Sequence, residues 1–120
     1  MTRRQVLRRE LDGPVVVHAD LGEVATFHAN DMLVTPTGDA YVGNFGFDLG
    51  RVLVDEGEEG LLGRLLTDPS PLMAKLAHVA VDGTVSTAAD QMLFPNGMVL
   101  LDGGRTLVVA QTLGTELTAF

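Results

Sequence analysis

The chain contains no cysteine, which excludes disulfides and thiolate metal sites and leaves its redox compartment open. Positive charge is scarce: 8 Lys and Arg stand against 16 Asp and Glu, a formal net charge of −8. That balance argues against a phosphate-backbone partner, so no nucleic acid is expected. No stretch approaches the roughly 18 apolar residues of a membrane span, and no membrane association is expected either. Arg8, Arg9 and Glu10 interrupt the basic N-terminus before a signal-peptide core can form, which points to a cytoplasmic protein. Also missing are a glycine-rich phosphate loop, a G-x-S-x-G elbow and a histidine pair at metal-ligand spacing.

What remains is one domain's worth of chain, 120 residues, 46% apolar and 20% charged. Fourteen glycines and five prolines separate short runs rich in Val, Leu and Thr, which is strand-and-turn chemistry. Strands are expected over 6–11, 15–19, 32–36, 40–44, 75–81, 84–88, 98–101, 106–111 and 116–120. Asp12-Gly13 and Asp82-Gly83 are compact turns in which glycine is expected to take the positive φ. The early basic cluster, "TRRQVLRRE", is either a polyanion contact or the solvent-facing side of an edge strand. His18 and His78 fall on strands and are expected to be half-buried sheet residues.

The two halves repeat. "NDMLVTPTGDAYVGN" from Asn30 aligns without a gap on "NGMVLLDGGRTLVVA" from Asn96, at an offset of 66. Upstream, "DGPVVVHAD" at Asp12 matches "DGTVSTAAD" at Asp82, at an offset of 70. Each unit runs strand, Asp-Gly turn, strand, loop, Asn, strand, glycine turn, strand. Four antiparallel strands per unit is the grammar of a β-propeller blade of about 40–45 residues. The surplus of roughly 20 residues lies in 49–72, an excursion from the strand pairing with a short helix expected around 61–66. It is a tolerated surface loop or a lid. The fold expected is all-β: a segment of a propeller, two to two and a half four-stranded blades. Because the last strand is cut short at "ELTAF", the chain reads as an excerpt or a truncated gene product, and self-association through its open propeller ends is expected.

"HANDMLVTPTGDAYVGNFGFD" and "LFPNGMVLLDGGRTLVVAQT" together resemble the SMP-30/gluconolactonase/LRE-like family of six-bladed β-propellers, over essentially residues 4–120. The resemblance implies hydrolysis of a lactone or sugar-acid-like small molecule with a divalent cation, calcium or zinc, at the central channel. It makes Asn96 a metal ligand, whereas the residues alone leave open that Asn96 merely starts a hairpin through an αL backbone or a bond to its own backbone. Asn30, one blade earlier, becomes a metal ligand or substrate contact, with Asp31 beside it as a turn cap or ion-pair partner. His28 stands where some relatives carry a substrate-gripping arginine, and imidazole cannot reproduce that two-pronged contact. Asp48 falls where relatives contact substrate hydroxyls, or is a solvated loop residue. Gln111 replaces an Asp or Glu common in the family. The carboxylate ligands that complete the family's site match no residue here. A non-catalytic propeller scaffold is the competing reading, and a strictosidine-synthase-like enzyme the third.

Overall fold

In the computed structural model, which describes residues 3–120, strands form at each of the nine runs. They are β1 (Gln5–Arg9), β2 (Val15–Asp20), β3 (Ala29–Val34), β4 (Ala40–Asn44), β5 (Ala74–Val79), β6 (Val85–Met92), β7 (Pro95–Leu101), β8 (Thr106–Gln111) and β9 (Leu117–Ala119). Between β4 and β5 lies α1 (Leu49–Thr67), followed by a 3₁₀ turn at Ser70–Leu72. The expected short helix at 61–66 is thus a 19-residue helical segment, and the chain is mostly β rather than all-β, at 44% strand and 19% helix. Asp48 starts the helix by accepting the Arg51 amide at 2.9 Å, satisfying one of the unpaired first-turn donors. Gly57, at φ 70 and ψ −178, breaks it midway. The Arg64 guanidinium closes back over the break onto the Glu56 carboxylate. Only Leu61 of α1 is buried, so the segment lies outside the strand pairing and is attached lightly.

Three antiparallel sheets follow one another along the chain: β1-β2, β3-β4-β5-β6 and β7-β8-β9. This corrects the phase of the repeat. The sequence unit that begins at β1 is cut in its middle, because residues 21–28 carry the chain from one sheet to the next and bury Leu21, Val24 and Ala25 on the way. β4 and β5 stay paired across the whole helical insertion, Tyr41 opposite His78.

The middle sheet is covered on both faces. Ala40, Val42, Ala77 and Val79 pack with Ala19, Leu21 and Val24 toward the first sheet. Leu76 and Met92 pack with Leu107 and Val109 toward the third. Alternation along β4 and β5 sends successive side chains to opposite faces, which is what a central layer requires. The outer sheets keep one apolar face open, Leu7, Val15 and Val17 on the first, Val99, Leu101 and Leu117 on the third. The stack is an elongated, unclosed arc of 49 × 33 × 19 Å.

Two turn details also differ from expectation. In the first hairpin Asp12, not Gly13, takes the positive φ, whereas Gly83 does so in the later one at 91°. Gly83 has a second reason to be glycine, since a Cβ there would stand 2.4 Å from the His18 carbonyl of the neighbouring sheet. The gapless match of the two Asn hairpins also needs revision. Ala29 pairs with Asn44, and its counterpart Pro95 pairs with Gln111, so the β7–β8 turn holds one residue more.

Candidate functional site

β3 and β7 are the first strands of adjoining sheets, and each opens with the same irregularity. The pairing register shifts between Ala29 and Met32 in one hairpin and between Pro95 and Met98 in the other. Asn30 and Asn96 occupy these two bulges. A bulge leaves its residue outside the ladder and re-aims the side chain, which is why bulges gather beside functional sites.

The bulged side chains are oriented by their nitrogens. Asn30 donates from Nδ2 to the Pro95 carbonyl of the next sheet at 2.9 Å, and its Oδ1 accepts the Asp31 amide at 2.7 Å. Asn96 donates from Nδ2 to Thr112 Oγ1 at 3.2 Å, and its Oδ1 receives no donor among the described residues. An amide oxygen has two lone pairs, so both oxygens retain accepting capacity while both nitrogens are tied down. Asn96 does not adopt an αL backbone, and its side chain bonds Thr112 Oγ1 rather than its own backbone, so it is no hairpin starter. A left-handed residue does stand two positions earlier, Phe94 at φ 59. A buried aromatic residue there is uncommon, and such backbone strain tends to gather at functional sites.

Close approach defines the floor. Gly43 of β4 leaves the space that Asn30 and Pro95 fill: a Cβ on it would lie 2.4 Å from the Pro95 oxygen and 2.6 Å from Asn30 Oδ1. His28, just before β3, stacks on Phe27 at 4.1 Å between ring centroids, and Phe45 stacks on Phe94 at 4.5 Å. His28 therefore belongs to an aromatic row that leads to the Phe94 turn. Asp48 is committed to capping α1, and Asp31 accepts the Met32 amide at 2.9 Å.

Two amides carry more of the framework than their sequence context shows. Asn44, with no exposed surface, donates to the Lys75 carbonyl at 2.7 Å and accepts the Gly46 amide at 2.9 Å. Gln111, its counterpart once the extra turn residue is allowed for, accepts the Leu93 amide at 2.6 Å and donates to Thr118 Oγ1 at 2.8 Å. Each straps the end of a second strand to the chain around it. The glycine just before Asn44 was the available signal for a close-packed strand end.

The family model described as SMP-30/Gluconolactonase/LRE-like region matches residues 3–120. The chain belongs to that family. No curated protein matches it. The match to the SMP-30/gluconolactonase/LRE-like family spans both Asn hairpins. A hard cation suits this donor set, because calcium binds amide and carboxylate oxygens, six to eight of them. Asn30 and Asn96 supply two neutral oxygens, and among the described residues no three His, Asp or Glu side chains come together. Two neutral oxygens alone fall well short of the six to eight that a calcium ion takes. Three carboxyls are held below their ordinary range, and all lie on other elements. Hydrogen bonds from Arg64 lower Glu56, those from Ser70 lower Asp68, and the Thr84 amide and hydroxyl lower Asp82.

Proposed function

We propose that this chain forms adjoining blades of a six-bladed propeller whose central channel hydrolyses a lactone or sugar-acid-like substrate with a divalent cation, calcium before zinc. The observation that supports this reading is the identical bulge at Asn30 and Asn96, each with its amide nitrogen engaged and oxygen capacity left over. A bound cation would supply Lewis acidity at the lactone carbonyl. The chain's own residues fix where that carbonyl can sit. Asn96 Oδ1 and Asn30 Oδ1 are the candidate ligands, and the clamp of Asn30 on Pro95 sets the spacing of the two strands. His28, in its aromatic row, walls the approach for an apolar ring edge, and Asp48 caps α1 through Oδ1 while its other oxygen stays open to substrate hydroxyls. The missing carboxylate ligands come from segments beyond these sheets.

The test is hydrolysis of gluconolactone by a protein carrying every blade, with calcium and then with chelator. Calcium-dependent turnover that disappears in Asn96→Ala supports the reading, and the absence of any metal-dependent turnover overturns it. A non-catalytic scaffold is favoured by one observation, the lack of gathered carboxylates among the described residues. Calorimetry separates the two, because a scaffold shows no calcium binding that Asn96→Ala removes.

A further inference from the structure

A second polar constellation lies on the middle sheet, on the face turned toward the third. Asp39, at the end of the β3–β4 turn, accepts from His78 of β5: Oδ1 to Nε2 is 3.1 Å. The other ring nitrogen, Nδ1, lies 3.3 Å from Ser86 Oγ of β6. His78 is the register partner of both Tyr41 and Ser86, so the pleat places all three side chains on one face. Thr37 donates to Asp39 Oδ2 at 2.9 Å, which fixes the carboxylate from behind, and the Tyr41 ring leans on the imidazole at 5.4 Å.

The direction of these bonds follows from the carboxylate. It can only accept, so neutral His78 carries its proton on Nε2, and Nδ1 presents a lone pair to the Ser86 hydroxyl. That is the order of a carboxylate–imidazole–hydroxyl relay, which is recognised by geometry and roles rather than by chain position. A separation of 3.3 Å is long, as such contacts are without substrate.

The relay opens into a cleft. His78 lines two neighbouring hollows of about 400 and 360 Å³, with Ser86 lining the larger and Asp39 the smaller. Leu76, Leu100 and Leu107 floor the larger one, and Arg105 stands on its wall. Arg105 Nε donates to the Asp102 carbonyl at 3.0 Å, which anchors the side chain, and its terminal nitrogens make no hydrogen bond among the described residues. An anchored cation across an apolar floor is suited to a developing oxyanion.

We propose that Ser86, His78 and Asp39 form a metal-independent nucleophilic site for small activated esters, distinct from the Asn30/Asn96 channel. Ser86 Oγ adds to the ester carbonyl while its proton passes to His78 Nδ1. The adduct expels the alcohol, which takes that proton, and an acyl-serine remains. Water then adds to the acyl-serine, gives its proton to His78, and releases the carboxylic acid as Ser86 recovers its hydrogen. Ser86 and His78 are catalytic, and Asp39 is a positioning residue. The apolar floor selects short acyl or aryl esters.

The experiment treats the 120-residue chain with a fluorophosphonate probe in excess chelator and locates the adduct by mass spectrometry. The chain has two serines, Ser70 and Ser86, so the site assignment is unambiguous. An adduct at Ser86, kept in Ser70→Ala and slowed roughly 100-fold in His78→Ala, is expected. Asp39→Asn should slow labelling and Asp39→Glu should restore part of it, with the circular dichroism unchanged in both. If His78→Ala misfolds, Ser86→Cys serves instead: it introduces the chain's one thiol, whose alkylation by iodoacetamide should slow when Asp39→Asn is added. No adduct on folded protein, labelling at Ser70 alone, or rates indifferent to His78 and Asp39 would overturn the proposal. Because chelator is present throughout, its failure is separate from that of the lactonase reading.

Discussion

Asn30 reaches out of its own sheet to donate to the carbonyl of Pro95, the residue before Asn96, at 2.9 Å. One candidate ligand thereby sets the backbone position of the other. The contact exists because Gly43 has no side chain, and it crosses a sheet boundary that no backbone ladder bridges.

Gly43→Ala tests that joint. A methyl group 2.4 Å from the Pro95 oxygen must push the third sheet away or displace Asn30. Overpacking of this kind costs about 1–3 kcal/mol. Urea unfolding should show the loss, with calcium affinity falling in parallel.

Asn96→Ala should separate stability from binding. Its one hydrogen bond, 3.2 Å to an exposed Thr112, is worth about 0.5–1 kcal/mol. Calorimetry on the complete protein should show calcium binding abolished while the melting temperature hardly moves. Asn30→Ala should lower both, since it also removes the clamp on Pro95.

Asn44→Ala should destabilise without touching ligand binding directly. It orphans the Lys75 carbonyl and the Gly46 amide. A buried group left without a partner costs about 1–3 kcal/mol, so thermal melting should report a loss of that order or more.

Acid should loosen the insertion. Arg64 holds the Glu56 carboxyl below its ordinary range, so this ion pair stabilises the bent helix above that range. The contribution disappears as pH falls through the lowered value, when Glu56 takes up a proton. Helical ellipticity should drop there, earlier in high salt, and Glu56→Gln should remove the step. Amides of residues 49–72 should exchange faster than those of the hairpin from Met98 to Gln111.

Open apolar faces should govern the solution state. Leu7 and Val17, paired across the first sheet, and Leu117 on the third are more than half exposed. Sedimentation of the isolated chain should show self-association or aggregation, and a broad melt. A monodisperse monomer with a sharp transition would contradict the arc.

The strands were legible because Val, Leu and Thr alternate between turn residues, and turn chemistry is local. The sheet boundary was not, because an Asp-Gly turn shows that two strands pair but says nothing of the strand beyond. The long helix was hidden by Gly50, Gly57, Gly60 and Gly63, which lower helix propensity, although Asp48 supplied a readable cap. At the candidate site, Asn30 and Asn96 stood out through repetition. The Asn44–Gln111 equivalence was masked by one added turn residue. The contact of Asp39, His78 and Ser86 joins a turn and two strands, and only the register across β4, β5 and β6 creates it.

The offset between sequence unit and sheet, half a sheet in each direction, has a consequence for how such a chain can grow or shrink. Duplicating one unit lays new material across a joint, as in brickwork, so every copy is stitched to both neighbours by its own backbone. Excising one unit leaves two half-sheets that can rejoin edge to edge. Cutting at a sheet boundary, within residues 21–28, instead yields pieces whose ladders are intact and which lose the apolar interface and a linker hydrogen bond such as that of Arg4 to the Ala25 carbonyl. Pieces cut there should reassemble from solution, whereas pieces cut inside the β3–β4 turn must re-form a ladder strand by strand.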